Sequence, residues 1–452
     1  MSKDNNVDMT IGNPVSLIVR FAIPMMIGNI FQQLYNLVDS VVVGQFVGSS
    51  ALAAIGATNS INFLFFALCN GIGSGGGIIT SQCFGAGDDS QVKKSISNTA
   101  YLMIAFPVVI GAVSFFLVGP LLKLLETPET IMSDALIYAR LMCIGLIFVS
   151  VYNFISSMLR ALGDSMTPLY FLVFSCVLNT VLDVVFVKFL NLSVLGAGVA
   201  TLIAQFVSGL LCIIYAVKRN PYFKLKAEDL KLDYGIIRKT IRLGIPLSLQ
   251  FSMIAISCMA LQRVVNKFGD IAVSAFTATS RIEQVIHQPY QTLGAALSTY
   301  CGQNYGAGKY NRLEKGYRKS MLMMFVFSIA MLPVMQFFGT DIIAVFVNEK
   351  EVIDMGAKAL QISSLFYAFL GAIYVIRGVL NGVGDAFFAF LNGIVEVLGR
   401  FIIPITLISV PLIGVWGIWW SVGIVWFISG LTAWIRYMSF KRKLFSADFR
   451  KT

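Results

Sequence analysis

The sequence predicts an all-α polytopic membrane protein: twelve transmembrane helices in two six-helix lobes, related by a pseudo-twofold axis along the membrane normal. Three observations lead there. The 452 residues are 57% hydrophobic and only 13% charged, where a soluble chain carries about 25% charged residues. The charges cluster, leaving apolar runs of roughly 20 residues or more, each long enough to cross a bilayer. The chain also repeats itself. Gln82-Cys83-Phe84-Gly85-Ala86-Gly87 returns as Gln303-Asn304-Tyr305-Gly306-Ala307-Gly308 at an offset of 221. Ala22-Ile23-Pro24 returns as Gly244-Ile245-Pro246 at 222, and Gly163-Asp164 as Gly384-Asp385 at 221. Three anchors at one offset mark a duplicated unit.

The expected spans run roughly over 14–43, 51–80, 93–118, 131–159, 166–189, 196–217, 238–262, 272–300, 316–338, 356–380, 387–410 and 415–437. In lipid they must be helices, because open strands leave backbone groups unpaired. The short alternating segments of a membrane β-barrel are absent. With the N-terminus inside, 25 of the 34 Lys and Arg fall in cytoplasmic segments and 6 in outer loops. This bias predicts an even span count, with both termini in the cytoplasm. It also explains most of the +11 net charge, so nucleic-acid binding is not expected. The expected division is an N-terminal lobe over 1–217, a cytoplasmic linker over 218–237 and a C-terminal lobe over 238–452. The polar start Met1-Ser2-Lys3-Asp4 is not a cleaved signal. The seven cysteines form no CxxC and suggest neither a metal site nor disulfides.

Along the chain, span 1 carries Pro24, which interrupts the helical hydrogen-bond ladder and is a candidate hinge. About four turns later comes Asp39. Ionised groups in lipid are costly and usually functional. Of 23 Asp and Glu, only Asp39, Asp183, Glu283 and Glu396 lie well inside spans. Nothing basic is buried near Asp39 or Asp183 in sequence. Spans 1 and 5 both run outward, which puts Asp39 and Asp183 in their outer halves, and Thr201 in span 6 lies at similar depth. Asn179 and Asp183 share one helix face. Two carboxylates, an amide oxygen and a hydroxyl make a hard-oxygen site for Na⁺. Without Na⁺, close carboxylates share a proton. Gln32, Tyr35, Asn36, Asn153, Ser156 and Met158 are the candidate substrate path. The polar ones must face protein or water, while aromatic and Met side chains suit flat cationic ligands.

The second half reads differently. Glu396 has Arg400 one turn later, and Glu283 has Arg281 on its own span, so a charge network is expected there. His287, the only His, is expected to serve packing. Two motifs mislead. Gly71-Ile72-Gly73-Ser74-Gly75-Gly76 satisfies the dinucleotide pattern G-x-G-x-x-G, but it lies inside span 2 without a preceding strand. Close helix packing is the expected role. Gly308-Lys309 resembles the end of a phosphate loop but lacks its first Gly and its Ser or Thr. No enzyme constellation and no ATP motor are encoded, so uphill transport would use an ion gradient or a partner protein.

On these residues the chain resembles the multidrug and toxic compound extrusion (MATE) family. The resemblance covers nearly the whole length. It rests on Pro24, on Asp39 in Tyr35-Asn36-Leu37-Val38-Asp39, on Q-x-[FY]-G-A-G in both halves, and on Leu159-Arg160-Ala161-Leu162-Gly163-Asp164. It implies a monomeric antiporter of the bacterial cytoplasmic membrane. Such an antiporter exports cationic or amphipathic small molecules in exchange for Na⁺ or H⁺, with no further cofactor. Asp39, Asn179, Asp183 and Thr201 match the cation cluster of DinF-like members. NorM-like members place a Glu in span 7, but Pro246 to Ile254 holds no acid, so coupling is expected in the N-terminal lobe. The alternative is a flippase for a lipid-linked oligosaccharide, whose cavity would need several basic residues. Only Arg281 and Arg400, with Arg140 near a span end, are expected to be buried. A major-facilitator carrier would show G-x-x-x-D-R-x-G-R where this chain has Gly85-Ala86-Gly87-Asp88-Asp89-Ser90.

Overall fold

The computed structural model describes residues 7–125 and 127–448. Among them every regular element is helical. The α-helices are α1 Pro14–Phe46, α2 Ser49–Gly85, α3 Asp89–Leu124, α4 Glu129–Ala161, α5 Met166–Asp183, α6 Ser193–Arg219, α7 Tyr234–Val265, α8 Asp270–Gly306, α9 Tyr310–Ala344, α10 Lys350–Ser364, α11 Tyr367–Gly382, α12 Ala386–Ile408 and α13 Gly417–Asp448. A π-helical turn, Val184–Phe189, extends α5 directly after Asp183.

Every expected span is helical, and two differ in kind. Ten helical segments among the described residues are long and apolar enough to cross a membrane. The expected span 356–380 is instead two helices, α10 and α11, bent by 52° at Leu365 and Phe366. The last turn of α10 tightens there, with Phe366 N donating to Ser363 O at 3.0 Å. Helix α8 has 37 residues but is too polar to pass the same test. Arg281, Glu283, Gln284, His287, Gln288 and Gln291 give it a polar stretch.

The repeated motifs have a common structural cause. At the end of α2, Asp88 N donates to Cys83 O at 3.2 Å and Gly87 N to Phe84 O at 3.1 Å, with Gly87 at φ +73°. At the end of α8, Lys309 N donates to Asn304 O at 2.8 Å and Gly308 N to Tyr305 O at 3.1 Å, with Gly308 at φ +68°. Both are Schellman caps, whose left-handed residue favours glycine. The same pair of bonds closes α4 at Gly163, φ +89°, and α11 at Gly384, φ +91°. The sequence repeat at offset 221 is therefore a repeat of helix stops. Gly308-Lys309 ends a helix rather than cradling a phosphate.

The chain divides into two compact units: Met1–Met9 with Arg20–Phe251, and Thr10–Val19 with Ser252–Thr452. The division falls inside α1 and α7, so the first unit takes in 218–237 and the early turns of α7. There the glycines of α2 let helices touch. A Cβ on Gly71 would lie 2.2 Å from Ser248 Oγ, one on Gly75 2.7 Å from Gly244 N, and one on Gly76 2.3 Å from a Thr99 methyl. Ser248 Oγ donates to Leu68 O at 2.6 Å across the same contact. The G-x-G-x-x-G run is helix packing. In the second unit, Lys309 Nζ donates to Thr10 O at 3.1 Å and Arg312 Nη1 to Gly12 O at 2.9 Å, fixing the approach to α1.

Candidate functional site

Helices α1, α5 and α6 bring four predicted residues together in the first unit. Asp39 is 9% exposed and Asp183 fully buried. Their carboxyls lie close enough to interact directly. Each nonetheless keeps one buried oxygen, Asp39 Oδ1 and Asp183 Oδ1, without a partner. The ion pairs formed among the described residues involve neither acid. Tyr35, one turn before Asp39, shares a 3.1 Å hydrogen bond with Thr201 Oγ1. Tyr138 of α4 packs with Val42 and Val43 and lies within electrostatic reach of both carboxyls.

Asn179 takes a different part from the one its position suggests. With Nδ2 toward Asp183 it donates to Oδ2 at 2.8 Å, and its oxygen accepts from Thr201 N at 3.2 Å. The opposite orientation sets an amide oxygen against a carboxylate oxygen, so the first is adopted. The amide oxygen is thus occupied by the backbone. In this orientation Asn179 holds Asp183 in place. The oxygens left for an ion come from Asp39, Asp183 and the Tyr35–Thr201 pair. Such an all-oxygen, acid-rich cluster suits a proton or a hard monovalent cation. The π-helical turn that begins at Val184 shifts the helix register just past Asp183, a feature frequent at functional sites.

The remaining predicted residues spread out. Pro24 is buried in α1, which runs through it unbroken. Gln32, Tyr35 and Asn153 are half-buried and Asn36 is exposed. Asn153 Nδ2 bonds back to Val149 O at 2.9 Å, leaving its oxygen for another partner. Ser156 and Met158 have no exposed surface. Met158 packs with Ile72, Met103 and Ile155, and Thr80 Oγ1 donates to its sulfur at 3.4 Å. Met158 is a core side chain, because its position on α4 faces α2 and α3.

In the second unit the expected charge network is redrawn. Glu396 pairs with Arg377 Nη2 at 2.5 Å rather than with Arg400. Asn392 accepts from Arg377 Nε at 2.8 Å and Ser429 Oγ donates to Glu396 at 3.3 Å. Arg377, inside the expected span 356–380, is 5% exposed within α11. Arg281 is exposed and makes no ion pair with Glu283 among the described residues. The basic group felt by Glu283 is Arg400, which donates to Ser257 Oγ at 3.0 Å. The reason is geometric: one helical turn brings side chains to one face, but a neighbouring helix approached more closely. His287 stacks edge-on to Trp426 at 5.5 Å, a packing role. Arg377, Asn392 and Tyr138 were missed from sequence. Only Asn392, four residues before Glu396, offered a signal.

The chain is similar to known proteins over almost its whole length. The family model described as MatE matches residues 24–185 and 246–403, once in each half. "Probable multidrug resistance protein YpnP" of Bacillus subtilis is 31% identical over 434 residues, covering 95% of this chain and 96% of that protein. "Multidrug export protein MepA" of Staphylococcus saprophyticus is 24% identical, covering 92% and 91%. A MATE protein solved in a bent conformation superposes with a TM-score of 0.88 at 25% identity, covering 96% and 98%. A MOP superfamily transporter from Pyrococcus furiosus superposes with 0.89 at 23%, covering 98% and 99%.

Proposed function

The chain belongs to the MATE family, multi-pass membrane transporters rather than enzymes, and from that premise we propose that it is a multidrug efflux antiporter. It exports cationic or amphipathic small molecules across the cell membrane in exchange for Na⁺ or H⁺. The printed names of its relatives, multidrug resistance and multidrug export proteins, support the substrate class. The charge bias supports a cytoplasmic location for both termini.

The observation that carries the coupling site is the pair of buried carboxyl oxygens, Asp39 Oδ1 and Asp183 Oδ1, that lack any partner. An unpaired polar atom in a membrane protein interior costs free energy unless something binds it in the working cycle. A proton or Na⁺ taken up between Asp39 and Asp183 neutralises the pair. Tyr35 and Thr201 hold α1 against α6 beside it, and Asn179 keeps Asp183 in place. Release of the ion returns charge to α1. Pro24 cannot donate to the carbonyl of Arg20, so α1 is weakest there. Arg20 is also where α1 passes from one compact unit to the other. Ion occupancy at Asp39 thereby biases the bend of α1, and Gln32, Tyr35, Asn36 and Asn153 offer polar groups along the substrate route.

The test is ethidium accumulation in drug-sensitive bacteria expressing wild type, Asp39→Asn or Asp183→Asn at equal levels. Wild type lowers accumulation and both variants lose the effect. Collapsing the Na⁺ and H⁺ gradients separately then identifies the ion. Export by both variants at the wild-type rate would falsify coupling at this site.

A further inference from the structure

We propose that the first two turns of α7 form a binding site for the phosphate headgroup of an anionic phospholipid, held between Arg238 and Arg242. Tyr234, Ile237, Arg238, Ile241 and Arg242 line an open cavity of about 530 Å³. Residues 234, 238 and 242 follow one helical stripe, and 237 and 241 the adjacent one. Both arginines are exposed, and neither belongs to any ion pair among the described residues. The nearest acid in sequence, Asp233, is engaged elsewhere. Its Oδ1 accepts from Gly235 N at 2.9 Å and Ile236 N at 3.1 Å, capping α7.

The stripe is held rigidly from behind. Ile236, Thr240, Gly244 and Leu247 are buried on the opposite face, and a Cβ on Gly244 would lie 2.8 Å from Ile72 Cα. The preceding segment is tied to α3: Tyr101 OH donates to Leu230 O at 2.8 Å, Asn98 Nδ2 to Lys231 O at 3.2 Å, and Asn98 Oδ1 accepts from Asp233 N at 2.9 Å. Two guanidinium forks one turn apart are therefore presented where a spanning helix begins. Guanidinium forks match phosphate oxygens in pairs. Ile237 and Ile241 offer apolar surface to the first acyl methylenes, and Tyr234 suits the interface. Apolar side chains woven between the arginines favour a lipid over a soluble anion, and basic groups at span ends attract anionic leaflets.

The test uses the purified full chain in detergent, titrated with phosphatidylglycerol or phosphatidylcholine and read by native mass spectrometry. Phosphatidylglycerol is retained in preference, and inorganic phosphate in large excess over the lipid does not displace it. R238Q/R242Q weakens retention roughly 30-fold, from about 1 kcal/mol per basic group. The control K218Q/R219Q removes the same charge from the exposed end of α6 and leaves retention within a few-fold, roughly the scatter of surface electrostatics. R238K/R242K keeps the charge and loses the fork, so it falls between. Should R238Q/R242Q fail to fold, this lysine variant decides: unchanged retention overturns the fork. Equal losses in both glutamine pairs overturn a defined site in favour of diffuse attraction. Displacement by phosphate, or equal retention of phosphatidylcholine, overturns the lipid assignment.

Discussion

Asp39 and Asp183 in the first unit lie beside each other and form no ion pair among the described residues, while Glu396 in the second unit meets Arg377 and Ser429. The two units descend from one repeat and stop their helices with the same glycine caps. They treat the Asp39–Asp183 pair and Glu396 in opposite ways, although Glu283 in the second unit also keeps a buried Oε1 without a partner. A carboxylate whose charge is matched within the fold has little need of an exchangeable ion. One left unmatched is incomplete without it. Under the proposed function, ion exchange belongs to the first unit and Glu396 has a structural part.

The largest expected effect separates the two directly. Asp39→Asn or Asp183→Asn abolishes dye export without lowering the thermal midpoint of the purified protein. Glu396→Gln keeps export, because Arg377 and Ser429 can still donate to the amide oxygen at that position. Loss of export in Glu396→Gln at normal stability would break the comparison.

Next in size is the reverse experiment on stability. Arg377→Met strands Glu396 in the interior, and breaking one side of a buried pair costs about 3–5 kcal/mol. Arg377→Met combined with Glu396→Leu recovers most of that loss, since an apolar replacement of both partners is close to neutral. Detergent-solubilised thermal unfolding reads both. A double variant no more stable than the single one would mean that Arg377 holds the fold through Asn392 instead.

The glycine caps allow a finer contrast. Gly163 and Gly308 both sit at positive φ, +89° and +68°. A Cβ on Gly308 meets nothing within 4 Å, whereas one on Gly163 would lie 2.1 Å from Val7 O. Gly308→Ala costs about 1–2 kcal/mol of backbone strain alone. Gly163→Ala adds displacement of residues 7–9 and costs about 2–4 kcal/mol. Equal shifts in thermal midpoint would show that the contact at Val7 contributes nothing.

Much of this was legible in the sequence, and the failures have a common origin. Among the described residues, apolar runs located ten membrane-spanning helices and the bent pair α10 and α11, while α8 is helical but too polar to be told by hydropathy alone, and the offset of 221 located the repeated caps. Depth counting along spans 1, 5 and 6 was enough to gather Asp39, Asp183 and Thr201, because a membrane turns residue number into height. It says nothing of direction around the helix axis. Met158 was therefore read as a lining residue although it faces the core, and Glu396 was given the basic group on its own helix instead of Arg377 on the next. The break at Leu365-Phe366 and the π-helical turn at Val184 have no Pro or Gly to announce them. Asn179 was found for its spacing, but which end of its amide meets Asp183 depends on the Thr201 backbone, which no pattern of residue types encodes.

The smallest effect tests how finely the first unit is tuned. Tyr35→Phe removes the hydroxyl that meets Thr201 at 3.1 Å while leaving the ring in place. A neutral hydrogen bond contributes about 1 kcal/mol, which is about a fivefold change in an equilibrium constant. Export persists at saturating ion gradient, and the Na⁺ or H⁺ concentration giving half-maximal export rises by about that factor. Thr201→Ala produces a similar shift, and the double variant no more than either alone, since both remove one bond. Additive shifts would mean that Tyr35 and Thr201 each contact the ion separately. Tyr35 would then be an ion ligand in its own right, and the oxygen set around Asp39 and Asp183 would be larger than the bond to Thr201 implies.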